Sequence, residues 1–277
     1  MVAGVLDLAI IGSGPAALTA AIYAARAGFN VEVFEKAKIG GALIEIDHIE
    51  NYPGFLGSGQ ELANNLKEQA VLAGAKISYG TCKNVSREGE NIKLTIDGEE
   101  LTVRAALVAT GSEPKTLVLN TTTPVSYCAL CDAPLYKGKN IAVIGGGNSA
   151  IQEALYLSEI VNQIVLYSHS GLKADAYLLD KIKERGNIEI HENAMPTDDE
   201  LNKVDGIFVF IGKRPATSFL PGEILDEKGY IKTHNYASEI AGIFAAGDVR
   251  ADSIKQAITA AADGAAAALE IVKYLKK

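Results

Sequence analysis

The chain has 277 residues, with 26 Lys+Arg against 34 Asp+Glu and a formal charge of -8; a nucleic-acid binder needs a basic excess that this composition lacks. Hydrophobic residues at 48% and charged residues at 22% describe a folded globular chain of one large or two modest domains. Uninterrupted apolar runs fall short of the roughly 18 residues a membrane span requires, three cysteines are too few for a secreted disulfide framework, and Met1-Val2-Ala3-Gly4-Val5 lacks the basic start of a signal peptide, so the chain reads as a soluble, cytoplasmic, acidic protein.

In chain order, Leu6 to Ile11 is an apolar run that predicts a buried strand. It breaks at Gly12-Ser13-Gly14-Pro15, and an alanine-rich helix follows from about Ala16 to Ala27, stopped by Gly28. Val31 to Glu35 closes a β-α-β unit. Lys76 to Cys82 is strand-like, and Cys82 reads as core packing. The strand Ala105 to Ala109 ends in Thr110-Gly111-Ser112-Glu113-Pro114, and polar Asn120 to Pro124 reads as a linker. The same grammar returns with Asn140 to Ile144, the loop Gly145-Gly146-Gly147, a helix to about Ile160 and the strand Gln163 to Tyr167. Gly206 to Ile211 and Gly242 to Gly247-Asp248 are later strand-and-turn signals. The predicted fold class is α/β, with two Rossmann-like doubly wound domains. The second is small and inserted into the first: 1–118 and 237–277 form one domain and 119–236 the other.

Gly12-x-Gly14-x-x-Ala17 has the spacing of a dinucleotide loop. The first glycine permits the tight turn, the second lets a pyrophosphate approach the backbone, and the small third residue lets helix and strand pack closely. The pyrophosphate would sit on the helix N-terminus, where free N–H groups favour an anion, and Glu35 is placed to accept a ribose hydroxyl. Cys128-Ala129-Leu130-Cys131-Asp132 is the sharpest signal. Two cysteines at this spacing can close a small disulfide ring, and a helix N-terminus beside them lowers a thiol's pKa. The same spacing also serves as half a zinc site or as two packed thiols. A second Cys pair or spaced His pair, which zinc would need, is missing, so the redox dithiol is the favoured reading and no metal is expected. Asp132 is placed either as a proton donor in a thiol cycle or as a helix-capping carboxylate.

These motifs occur in a recognisable order: Gly12-Ser13-Gly14-Pro15-Ala16-Ala17, Glu50-Asn51-Tyr52-Pro53-Gly54, Ala109-Thr110-Gly111, the Cys128/Cys131 pair with Asp132, Gly145-x-Gly147-Asn148-Ser149-Ala150, Gly247-Asp248 and Lys255-Gln256-Ala257. The chain resembles the low-molecular-weight thioredoxin reductases over nearly its whole length. The resemblance implies an FAD-binding first domain. In it Glu35 holds the adenosine ribose, Gly12 to Ala16 the pyrophosphate, Gly41 and Asn51 approach the flavin side, Asp248 binds the ribityl-phosphate region, and Gln256 and Ala257 lie near the isoalloxazine. Lys36, Leu43, Thr110, Gly111, Gly247 and Lys255 complete the implied cofactor set. It further implies that Cys131 exchanges electrons with the flavin, that Cys128 attacks the disulfide of thioredoxin, that Asp132 is the general acid, and that the enzyme is a homodimer formed through the FAD domain.

The second glycine motif lacks its companion. NADPH-dependent members of the family carry a His-Arg-Arg run after the second strand, whereas here that strand is followed by Ser168-His169-Ser170-Gly171-Leu172-Lys173. An acid that reads an NAD ribose is absent before Asp175, and an arginine for an NADP phosphate is absent before Arg185. Only a short polar stretch, Glu192 to Lys203, replaces the family's extra strands, Ala42 stands where a polar residue is common, and Glu45 and His48 are unusual in their loop. These departures resemble the ferredoxin-dependent flavin thioredoxin reductases, so reduced ferredoxin is the expected donor. A ferredoxin is usually acidic, and Lys137/Lys139 or Lys181/Lys183/Arg185 are the basic clusters that would offset the chain's own negative charge. Three alternatives are open on these residues: an NAD(P)H-dependent reductase using His169 and Lys173, an FAD-dependent dithiol oxidase, and a non-catalytic flavin redox sensor.

Overall fold

A computed structural model describes residues 6–46 and 48–277; the signal-peptide reading of Met1 to Val5 lies outside them. The chain divides into two compact units, Met1–Ser112 with Pro215–Lys277, and Glu113–Arg214.

The first unit opens with β1 (Leu8–Ile11), α1 (Pro15–Arg26) and β2 (Val31–Glu35). A 3-10 turn at Gly41–Glu45 leads to the hairpin β3 (Ile49–Tyr52) and β4 (Phe55–Gly57), then α2 (Gly59–Leu72) and β5 (Lys76–Tyr79). The meander β6 (Cys82–Glu88), β7 (Asn91–Ile96) and β8 (Glu99–Val103) precedes β9 (Ala105–Val108). After β10 (Ser112–Pro114) the chain enters the second unit, which contains β11 (Val125–Ser126), α3 (Ala129–Asp132), β12 (Asn140–Ile144), α4 (Asn148–Ser158), β13 (Gln163–Ser168), α5 (Ala176–Lys183), β14 (Ile188–Glu192), α6 (Asp198–Leu201) and β15 (Gly206–Val209). It leaves through β16 (Lys213–Pro215), which pairs with β10, so the two connecting segments form one ribbon. The first unit closes with β17 (Ile243–Ala245) and α7 (Ala257–Leu275).

Each unit is built on a parallel sheet, ordered β17-β9-β1-β2-β5 in the first and β11-β15-β12-β13-β14 in the second. A parallel sheet is covered on both faces, which explains the continuous apolar runs. Alternate residues of β1 serve opposite faces: Leu8 and Ile10 pack with α1, α2 and α7, whereas Ala9 and Ile11 pack with Val85, Ile92 and Leu94 of the meander. In the second unit Ile141 and Val143 face α4 and α5, and Ala142 and Ile144 face Leu201 of α6.

The β-α-β units stand where the sequence places them. The boundary of the second unit does not: it begins at Glu113 rather than 119 and ends at Arg214 rather than 236. Asn120 to Pro124 is polar because it anchors α6. Asn120 Nδ2 donates to Asp198, Thr121 Oγ1 to Asn202 Oδ1, and Thr123 Oγ1 to the Leu201 carbonyl, so this stretch is structured chain and not a linker. At the other end Ile224 and Ile231 are buried beside Ile243 and Val249, which assigns residues 215–236 to the first unit. Lys76 to Cys82 is two strands, broken at Gly80, whose N–H turns to the Glu35 carbonyl. Among the described residues no helix is long and apolar enough to cross a membrane.

Candidate functional site

Gly12 follows β1 with φ of 99°, and a Cβ there would stand 2.5 Å from the Ala109 carbonyl oxygen, so both the left-handed turn and the close approach require glycine. Gly14 is the N-cap of α1, has no side-chain cap, and has open space where a Cβ would stand. The first N–H groups of α1 have no side-chain cap, and the open space at the Gly14 Cβ position lets an anion approach the turn. Pro15 occupies the first turn at no cost, since its missing N–H has no intrahelical partner. Ser13 is 1% exposed, and its hydroxyl donates to Glu35 Oε2 at 2.6 Å; the Ala37 N–H donates to Oε1 at 2.8 Å. Both contacts fix the Glu35 carboxylate at the end of β2, and each oxygen keeps a lone pair for a further donor. Lys36 follows on the exposed side.

Gly41 sits against this loop, where an added Cβ would be 3.1 Å from Gly14 Cα, and Gly247 likewise abuts Ala16. Helix α7 crosses at Gly264, where a Cβ would meet the Ala16 carbonyl at 2.1 Å. Asn51 Nδ2 donates to Gln256 Oε1 at 3.1 Å, tying β3 to the N-cap of α7 directly before Ala257. Thr110 Oγ1 donates to the Ala216 carbonyl, and Gly111 takes a φ of 64° at the crossing. Leu43 is buried in the helix-side core, and Lys255 is held over the Tyr230 ring and bonded to its hydroxyl. The half-buried Asp248 follows Gly247, whose N–H donates to Asp263 Oδ2 at 3.1 Å. The structure thus joins Gly12 to Ala16, Gly41 and Gly247 around one helix end, and joins Asn51 to Gln256.

Sequence reasoning missed the clamp on that turn. Asp263 Oδ2 also accepts from Arg250 Nε at 3.0 Å and Nη2 at 2.9 Å, and the Arg250 guanidinium lies over the Tyr236 ring. The one signal was an acid inside an alanine-rich helix.

In the second unit Cys128 and Cys131 are joined by a disulfide. Cys128 caps α3, and the Cys131 N–H donates to its Sγ at 3.2 Å. Cys131 is exposed and Cys128 half-buried. Asp132 accepts from Ser126 Oγ at 2.7 Å and makes no side-chain cap bond, which removes the helix-capping reading for it. Among the described residues no group of His, Cys, Asp or Glu has the arrangement of a metal site.

The two glycine loops can be aligned by their hydrogen bonds. The Gly12 N–H donates to the Phe34 carbonyl and the Gly145 N–H to the Tyr167 carbonyl, so Ser168 stands where Glu35 stands in the first unit. Ser168 is 2% exposed and its hydroxyl donates to the Gly171 carbonyl. The loop after β13 folds onto the glycine turn: the Lys173 N–H donates to the Gly146 carbonyl at 2.7 Å, and a Cβ on Gly146 would overlap Ser168 Oγ. His169 and Lys173 are exposed. The space at Gly147, the N-cap of α4, is open.

The family model for pyridine nucleotide-disulphide oxidoreductases matches residues 6–264. A thioredoxin reductase of Borreliella burgdorferi is 37% identical, the alignment covering 98% of this chain and 92% of that one. The chain belongs to the thioredoxin reductase family. Among solved structures, thioredoxin reductase of Lactococcus lactis is similar with a TM-score of 0.89 at 31% identity, over 98% of this chain and 99% of that one. A ferredoxin-flavin thioredoxin reductase of Clostridium acetobutylicum is 29% identical over 98% of each chain, with a TM-score of 0.58. The chain is a thioredoxin reductase-type flavoprotein disulfide reductase whose cofactor is FAD.

The first unit fits that cofactor. An uncapped helix N-terminus facing open space at Gly14 suits a pyrophosphate, and a fixed, 8% exposed carboxylate at Glu35 suits a ribose. Glu35→Gln is expected to weaken FAD binding about tenfold, as loss of a hydrogen bond to a charged group would; fluorescence titration of the apoprotein measures it.

Cys82 is the third cysteine, free and buried. Burial pushes its thiol up to about 11, with a weaker opposing contribution from a backbone hydrogen bond of Asn84. A thiol so buried and so weakly acidic is inert. The oxidised enzyme should therefore give no thiol titre with a disulfide reagent at neutral pH until it is unfolded, when Cys82 reacts.

Proposed function

We propose that this protein reduces the disulfide of thioredoxin with electrons from reduced ferredoxin. FAD, when bound, supplies the conversion of single electrons into a pair. The observation that carries the donor assignment is Ser168. At the position where a dinucleotide loop presents its ribose reader, the second unit has a buried hydroxyl turned into its own loop, and that loop is folded onto the glycine turn. Its exposed neighbours His169 and Lys173 lack the planar fork with which arginine holds a phosphate.

The residues divide the work. Gly12 to Ala16 and Glu35 hold the dinucleotide end of FAD, with Lys36, Gly41, Leu43 and Asn51 beside it. Thr110, Gly111, Gly247, Asp248, Lys255, Gln256 and Ala257 complete the pocket. Cys128 is the nucleophile toward the partner disulfide, because a thiolate there keeps the Cys131 N–H as donor. Cys131 is the cysteine oxidised and reduced against the flavin, and it resolves the mixed disulfide on Cys128. Asp132 is the general acid for the leaving thiolate. Exposed Lys181 and Lys183 of α5 and Lys137 offer an acidic ferredoxin its basic contact, whereas Arg185 is already paired with Glu159 at 2.7 Å. The enzyme acts in the cytoplasm as a homodimer formed through the FAD-binding unit.

One observation favours a second reading, an NAD(P)H-dependent reductase: Gly147 faces open space and α4 has no side-chain cap, so a phosphate could still be received there. Steady-state reduction of thioredoxin separates the two. Turnover with photoreduced ferredoxin and background rates with NADPH and NADH support the proposal; turnover with either nicotinamide at comparable rate overturns it.

A further inference from the structure

Ser126, the last residue of β11, is 5% exposed, and its hydroxyl lies among three partners. It accepts from the Cys128 N–H at 3.1 Å, and it lies 2.7 Å from Asp132 Oδ2 and 3.2 Å from the Cys128 carbonyl oxygen. A serine hydroxyl has one proton to give, so it serves either the carboxylate or the carbonyl at any moment. The charged acceptor is the stronger and shorter of the two.

We propose that Ser126 is a positioning residue for proton transfer at the dithiol: its hydroxyl donates to Asp132 when the side chain is a carboxylate and turns to the Cys128 carbonyl when Asp132 carries the proton. This rests on the reading of Asp132 as general acid. Pinning Oδ2 fixes the carboxyl group on the same one-turn helix that carries Cys131, and leaves Oδ1 to exchange the proton. The Cys128 N–H bond locks the same hydroxyl to the backbone of the nucleophile, so the donor and the sulfur hold one geometry through the cycle.

The Cys128 thiolate attacks one sulfur of the partner disulfide, and a mixed disulfide forms as the partner's S–S bond breaks. Cys131 then attacks Cys128 Sγ, closing the enzyme disulfide and releasing the second partner sulfur. The enzyme dithiol is oxidised by two electrons and the partner disulfide is reduced by two. Asp132 takes the proton of one enzyme thiol and delivers it to a leaving partner sulfur, and Ser126 donates to the carboxylate left behind.

The test mixes dithionite-reduced holoenzyme anaerobically with oxidised thioredoxin and reads the thiols formed, so it does not depend on the physiological donor. Ser126→Ala should lower the limiting rate about tenfold, a fraction of what a general acid contributes, leave the half-saturating thioredoxin concentration unchanged, and raise the solvent deuterium isotope effect. Ser126→Thr should restore both. A Ser126→Ala enzyme with the wild-type limiting rate and isotope effect would overturn the proposal, as would one in which only the half-saturating concentration or the Tm moves. Asp132→Asn, run beside it, distinguishes the failures. A wild-type rate in Asp132→Asn removes the general-acid reading itself, whereas a slow Asp132→Asn with a normal Ser126→Ala removes only the role of Ser126.

Discussion

Cys128→Ser is expected to abolish thioredoxin reduction, with a loss of about a thousandfold or more, while FAD stays bound. A serine hydroxyl is a far poorer nucleophile and cannot form the mixed disulfide, and removing a residue that acts as part of a unit costs the function of the unit. Cofactor retention follows from where the residue lies. Cys128 belongs to the second compact unit, whereas Glu35, the Gly12 to Ala16 loop and the Asp263 clamp on Gly247 belong to the first. The flavin spectrum and the thioredoxin assay on one purified sample check both halves. Normal turnover by Cys128→Ser would remove the dithiol mechanism, and loss of flavin would show that the two units do not keep their sites independently.

Gly12→Ala should yield a destabilised protein that purifies without flavin. Holding alanine at a φ of 99° costs about 1–2 kcal/mol. The new Cβ, 2.5 Å from the Ala109 carbonyl oxygen, meets backbone and not a movable side chain, so relief requires β1 and β9 to separate, at about 1–3 kcal/mol more. The sum is a large fraction of a total stability of about 5–15 kcal/mol. Gly28→Ala is the control, because Gly28 has a similar φ of 91° but open space around its Cβ position. It carries the backbone penalty alone and should keep FAD. Thermal unfolding and flavin content of the two variants read the difference; equal behaviour would contradict the account of the β1–α1 turn.

The two β-α-β units were legible because a parallel sheet buries both faces of each strand, leaving short apolar runs that end abruptly at glycine. Val31–Glu35 and Asn140–Ile144 are found at the predicted residues. The pairing of Glu35 with Ser13 was not legible, although both residues were named, because a contact between a strand end and a loop leaves no periodic trace. Asn120 to Pro124 misled for a physical reason: threonines and asparagines that cap and brace α6 have the composition of a solvated linker. Residues 215–236 contain few secondary-structure signals, and their place in the first unit depends on two isoleucines, Ile224 and Ile231, which reach its core from irregular chain. Asp263 is a lone acid in an alanine-rich stretch, and only the fold shows that it holds Arg250 and the Gly247 turn. That a serine, Ser168, and not an acid follows β13 was legible from the sequence alone, and the structure adds that its hydroxyl is turned inward.

The most direct test of the central claim is an anaerobic titration of the purified yellow protein, following flavin absorbance as NADPH, then NADH, then reduced ferredoxin is added. The account predicts no bleaching by either nicotinamide and full bleaching by ferredoxin, followed by reoxidation when oxidised thioredoxin is admitted. Rapid bleaching by NADPH or NADH would contradict it, and would mean that the open face at Gly147 receives a nicotinamide nucleotide despite the inward turn of Ser168.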